Sequence, residues 1–153
     1  MVSACLLGVA CAYDGRPRRD GQLLEGLAGR CILPVCPEQL GGLPTPRTPA
    51  EITGGGGSEV LRGRARVLIA TGDDVTRQYL RGAREVCRLA EELGTSEAVL
   101  KPGSPACGPE SHYDGTFTSR RVEGMGVAAR ALWERGVRIL TPKGYLERVR
   151  LGK

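Results

Sequence analysis

LPVCPEQLGGLPTPR, residues 33–47, sets a short apolar run directly against a loop rich in reactive side chains. Ile32, Leu33 and Val35 are apolar and partly β-branched, the composition of a short buried strand. Pro34 interrupts them, so the strand is expected at a sheet edge or close to its last residues. Cys36 and Glu38 follow, a thiol and a carboxylate two residues apart on backbone that Pro37 stiffens. Gly41-Gly42, Pro44 and Pro46 then predict no regular element until after Arg47. A soft ligand, an acid/base group and a cation on a rigid loop leaving a strand read as one wall of an active site. The plainer alternative is a buried cysteine ahead of an irregular loop.

Working outward, the same strand-then-loop pattern recurs. Val2–Leu7 reads as a strand ending near Cys5, with Gly8 and Asp14-Gly15 as turn signals around Cys11. Leu23–Leu27 predicts one or two helical turns. Gly54–Gly57 reads as a mobile surface loop, and Ala65–Ala70 as a strand. Asp73 or Asp74 would cap a helix reaching Leu93, with Val75, Tyr79, Val86, Leu89, Ala90 and Leu93 inward and Cys87 in the core. Glu97–Lys101 is a strand running into PGSPACGPE, which carries Ser104 and Cys107; YDGTF, residues 113–117, is a turn. A helix over Gly126–Arg135, a strand over Val137–Leu140 and a helix over Tyr145–Leu151 complete the chain. This alternation predicts an α/β fold with a largely parallel sheet flanked by helices. At 153 residues, without repeat or linker, one domain spanning residues 1–153 is expected.

Composition narrows the function. A hydrophobic share of 41% suits a globular chain, and an aromatic share of 4% argues against a surface that grips nucleic acid by stacking. The net charge of +5 is spread out; its densest cluster, Arg16, Arg18 and Arg19, reads as solvated surface or a seat for a phosphate or an acidic partner. No apolar run is long enough for a membrane span, and Met1–Ala10 lacks the basic head of a signal peptide. A cytoplasmic chain whose six cysteines stay reduced is therefore expected, which points to metal or catalytic chemistry before disulfides. With His112 as the single histidine, Cys₂His₂ zinc sites are excluded.

Cys5, Cys36 and Cys107 each stand at or just beyond the C-terminal end of an expected strand. In an open parallel sheet those ends share one edge, where ligands bind. Cys31 falls at the other end of its strand and Cys87 within a helix. Three converging thiolates suit zinc, Cu(I) or an iron–sulfur cluster, and a cluster on three ligands keeps one iron open.

SACLLG, CPE-x-x-GGLPTPR-x-PAE, DVT followed by GA, SPACG, YDGTF and GMGV occur here in the order found in a small bacterial family. Over nearly its whole length the chain resembles the thiouracil desulfurases. That resemblance implies a Rossmann-like domain holding a [4Fe-4S] cluster on Cys5, Cys36 and Cys107. It implies Glu38 as acid/base and Ser104 as the assisting hydroxyl. The implied substrate is a small thiolated base of the 2-thiouracil type, converted to the oxo-base with release of sulfide in a non-redox reaction. A monomer with no membrane and no obligatory nucleic-acid partner is expected. Ala12 stands where the family often has arginine, and Ala106 where serine is common. Two rivals remain on the residues alone: a zinc-stabilised RNA-binding module on Cys5, Cys11, Cys36 and Cys107, and a dehydratase that uses the open iron with Arg18 and Arg47 as carboxylate clamps.

Overall fold

Short apolar runs and longer amphipathic ones alternate along the chain, and most take the regular form their period favours. A computed structural model describes residues 1–152; Lys153 lies outside the described residues. In order the elements are β1 (Val2–Ser3), α1 (Gly21–Gly26), β2 (Pro34–Val35), α2 (Pro37–Leu40), β3 (Ala50–Thr53), α3 (Gly57–Leu61) and β4 (Arg66–Ile69). After them come α4 (Thr76–Glu92), β5 (Glu97–Val99), β6 (Ser111–Tyr113), β7 (Arg121–Glu123), α5 (Val127–Trp133), β8 (Arg138–Leu140) and α6 (Pro142–Arg150).

Four strands form a wholly parallel sheet in the order β2-β1-β5-β8, with Val2 opposite both Pro34 and Val99. Pro34, which has no N–H to give a ladder, sits on the edge strand, as expected. Along β5 the side chains alternate between two cores. Ala98 joins Tyr79, Val86, Val127 and Leu132 from α4 and α5, while Val99 joins Leu23, Leu27 and Tyr145 from α1 and α6. The helices thus cover both faces in a Rossmann-like arrangement, and the C-terminal edge of the sheet is left to loops.

Several elements differ from expectation. The strand at β4 lies outside the parallel sheet and pairs antiparallel with β3, Ala50 opposite Ile69 and Thr53 opposite Arg66. β3 itself was hidden in the sequence between Pro49 and the glycine run. β1 is shorter than read, and Cys5 lies in a 3₁₀ turn, Ala4–Leu7. The stretch after Cys36 is not wholly irregular: Pro37 at the first helical position starts the one-turn helix α2. On α4, Leu93 is exposed instead of inward, and Asp74 takes the Thr76 N–H at 2.9 Å one residue ahead of the helix cap, Val75.

The glycine run is not simply a mobile surface loop. Gly57 opens α3 against α5, where an added Cβ would meet the Gly126 carbonyl oxygen at 2.5 Å. A second close approach fixes α2 on α4. Gly82 lies mid-helix, where it costs about 1 kcal/mol relative to Ala. A Cβ there would meet the Pro37 oxygen at 1.9 Å, and a Cβ on Gly41 would meet the Gln78 oxygen at 2.1 Å. Backbone therefore rests directly on backbone, and Tyr79 on α4 comes within reach of Glu38 on α2.

Candidate functional site

Three loops leave the C-terminal ends of β1, β2 and β5 and carry Cys5, Cys36 and Cys107 to one cavity of about 430 Å³. Cys11, Glu38, Arg47 and Ser104 line the same cavity. Cys31 is exposed at the opposite edge of the sheet and Cys87 is buried in the α4–α5 core, so neither reaches it. His112 is also apart: it is buried, with Nδ1 donating to the Tyr113 carbonyl at 2.8 Å.

The thiols are held by ordinary backbone chemistry. Cys36 caps α2 and its Sγ lies 3.8 Å from the Cys11 carbonyl oxygen. Cys107 sits in a turn that Ser104 closes, its Oγ accepting the N–H groups of Ala106 and Cys107 at 3.1 and 3.0 Å. The carbonyls of Pro105 and Ala106 in turn accept the first N–H groups of α5, from Val127 at 2.8 Å and Ala128 at 3.0 Å. That contact requires Gly126, where a Cβ would meet Ala106 backbone at 2.7 Å. The SPACG and GMGV segments are therefore two halves of one joint.

Glu38 is gripped on both oxygens. Oε2 accepts from Arg47 Nη2 at 2.6 Å, a pair whose side chains are only 16% and 5% exposed, and Oε1 accepts from the Tyr79 hydroxyl. Arg47 also donates to the carbonyls of Cys11 at 3.0 Å and Pro44 at 3.3 Å, tying three loops together. Burial first, and then the Glu38 carboxylate beside it, push the Tyr79 phenol well above its ordinary range, so it remains a donor. A carboxylate has about four acceptor sites; two are taken, and the others face a cavity that admits solvent.

Burial also raises the thiols. It pushes Cys5 up, opposed by Lys101, and Cys107 up strongly, opposed by Ser3. Cys11 is pushed up to about 12 by burial and then by Cys36. Neutral, soft, buried donors of this kind bind a metal group by exchanging their protons for it. Among the described residues no three His, Cys, Asp or Glu side chains are grouped to grip a single metal ion. Cys5, Cys36 and Cys107 line one open cavity, a soft donor set that fits a thiolate-bound iron–sulfur group.

The sequence matches the model of the 2-thiouracil desulfurase family over residues 1–143. The chain belongs to that family. It is 40% identical, over 141 residues, to an uncharacterised protein, YbbK, of Bacillus subtilis (strain 168), an alignment covering 92% of this chain and 93% of the relative. The fold is similar to a solved structure described as the [4Fe-4S]-dependent thiouracil desulfidase TudS, with a TM-score of 0.81 and 36% identity over 97% of this chain and 96% of that one.

Within this desulfurase-family fold, two site residues were not singled out from sequence. Tyr79 read as one member of the buried stripe of α4, although it is the only one there with a polar tip. Glu51, buried beside the cavity, accepts the N–H groups of Gly115 and Phe117 at 2.8 and 3.0 Å. Its signal in the sequence was its place as the last residue of the PAE motif, residues 49–51.

Proposed function

We propose that this chain removes sulfur from a thiolated nucleobase of the 2-thiouracil type, giving the oxo-base and sulfide, with Cys5, Cys36 and Cys107 holding a [4Fe-4S] cluster. The observation that carries this reading is the meeting, in one cavity, of three thiols from three strand ends with a carboxylate locked between Arg47 and Tyr79. Bound on those thiolates, the cluster supplies a soft Lewis acid that polarises the thiocarbonyl.

The chain's own groups do the rest. Water supplies the incoming oxygen and sulfur leaves as sulfide, so no net electron transfer is required and no reductant is consumed. Glu38 takes the proton of the attacking water on a lone pair left free by Arg47 and Tyr79, a general-base contribution of about 10²–10⁴-fold. Those two donors fix the carboxylate before substrate arrives, which lowers the cost of ordering it. Ser104 accepts the Ala106 and Cys107 N–H groups on its lone pairs, so its O–H is free to donate to a ring nitrogen or to the water. Cys11 neighbours the cluster without ligating it. Six free thiols suit a reducing cytoplasm, and the chain acts as a single monomeric domain on a free small molecule.

Glu38→Gln tests the assignment, because it keeps size and removes the base. Iron and sulfide content per chain should stay normal while kcat for sulfide release falls by about 10²-fold or more. Parallel loss of iron and activity would make Glu38 an anchor of the Cys36 loop and refute its catalytic role.

A further inference from the structure

The chain is poor in aromatics, with one Trp, four Tyr and one Phe, yet Tyr13, Tyr113 and Phe117 all line this one cavity. Tyr13 and Phe117 are 46% and 37% exposed, so each shows ring surface to solvent at the mouth. The guanidinium of Arg18 lies over Tyr13, 5.8 Å from its centroid, and that of Arg121 over Tyr113 at 5.3 Å. Among the described residues no cation covers Phe117. Its face is open.

Phe117 is also held in an unfavourable backbone conformation. Its φ is 57°, in the left-handed region that bulky residues rarely enter. Such a residue persists only where its surroundings impose it, and such residues cluster at functional sites. Here the imposing group is Glu51, whose Oε2 accepts both the Gly115 and the Phe117 N–H. Gly115 has φ 90°, and a Cβ there would meet the Ile52 carbonyl at 2.7 Å, so the turn lies directly on β3. A buried carboxylate thus serves to fix a strained turn whose aromatic side chain stays partly in water. The part of Phe117 left in water, 37% of its surface, is available to a ligand in the cavity.

We propose that Phe117 is a stacking platform for the planar ring of the substrate, held in place by Glu51 as a positioning residue. This rests on the nucleobase reading above and adds the residue that selects an aromatic ring over a saturated one. Every base offers a π-face, and stacking one on an aromatic side chain changes affinity by about 5- to 150-fold. Aromatic pairs prefer offset or edge-to-face contact, which an open ring at a cavity mouth permits.

Calorimetric titration of the reconstituted protein with uracil and with 5,6-dihydrouracil tests this. The two ligands share their hydrogen-bonding groups, and only the first is flat and aromatic. Wild type should bind uracil more tightly. Phe117→Gly should lower uracil affinity at least about fivefold and abolish the preference, while the chain still melts cooperatively because relief of the left-handed φ offsets part of the lost ring burial. Phe117→Tyr should retain the preference, and Glu51→Ala should weaken it with the ring still present. Undiminished uracil binding in Phe117→Gly, or a wild type that binds the two ligands equally or not at all, would overturn stacking. Failure of the wild type to release sulfide from 2-thiouracil would overturn the desulfurase reading instead, a separate result from a separate assay.

Discussion

Gly82→Ala reaches the site through backbone contact alone, at Pro37 beside Glu38. The added Cβ would lie 1.9 Å from the Pro37 carbonyl oxygen, where ordinary contact starts near 3.4 Å. The backbones of α2 and α4 must therefore part by about 1.5 Å, because a backbone carbonyl cannot rotate away as a side-chain tip can. On stability two terms oppose each other. Replacing a mid-helix glycine gains about 1 kcal/mol of helix propensity, and overpacking costs about 1–3 kcal/mol. The net loss is at most about 2 kcal/mol, which in a chain of this size lowers Tm by about 4–8 °C or less. Catalysis has no such compensation. Glu38 rides on α2 and Tyr79 on α4, so the same displacement opens their hydrogen bond, and a misplacement of about 1 Å can cost about 10²-fold in rate. Thermal melts and sulfide release per bound cluster, measured on one preparation, should show a small stability loss beside a large loss of rate. A Gly82→Ala protein that is more stable and equally active would refute the backbone contact and the account of Glu38 positioning built on it.

Cys5→Ala, Cys36→Ala and Cys107→Ala should each abolish iron retention after anaerobic reconstitution, whereas Cys11→Ala, Cys31→Ala and Cys87→Ala keep it; iron analysis per chain decides, and a Cys36→Ala protein with full iron would sink the ligand set. Ser104→Ala leaves the Ala106 and Cys107 N–H groups without their acceptor, so a loss of about 1–2 kcal/mol in urea unfolding of the cofactor-free chain is expected, along with a drop in kcat smaller than that of Glu38→Gln. Asp74 is held below its usual carboxylate range first by the Thr76 hydroxyl and then by the Thr76 N–H. Its stabilisation is therefore present above the unfolded-state pKa and is lost as pH falls through the lower folded-state value. Asp74→Asn should flatten the acid limb of the stability–pH curve by lowering stability at neutral pH while leaving the acid end nearly unchanged.

The parallel sheet and its reactive edge were legible because short apolar runs, each followed by Gly and Pro, recur at Cys5, Cys36 and Cys107. Strand ends in such a sheet share one edge, so placing the runs also placed the thiols. β3 was obscured because four residues between Pro49 and Gly54 carry too little periodicity to outweigh their flanks. The offset of β4 from the main sheet was hidden for the same reason, since a strand's partner cannot be read when the partner itself is missed. The glycines misled for a different reason: Gly57 and Gly82 matter through backbone passing at contact distance, and a sequence records only that no side chain is present. Tyr79 was masked by its own stripe, since inward spacing on a helix does not reveal whether the far side of the core holds a methyl group or a carboxylate.

The three thiols follow β1, β2 and β5, neighbours in the sheet but far apart along the chain. While the chain is being made, or after it has opened, each of the three is far from the other two, and no local stretch holds the full set. The donor set comes into being only when β1 has paired on both sides. If Cys5, Cys36 and Cys107 hold the cluster, its assembly is conditional on assembly of the sheet, and iron content becomes a record of how many molecules have closed the centre of their fold.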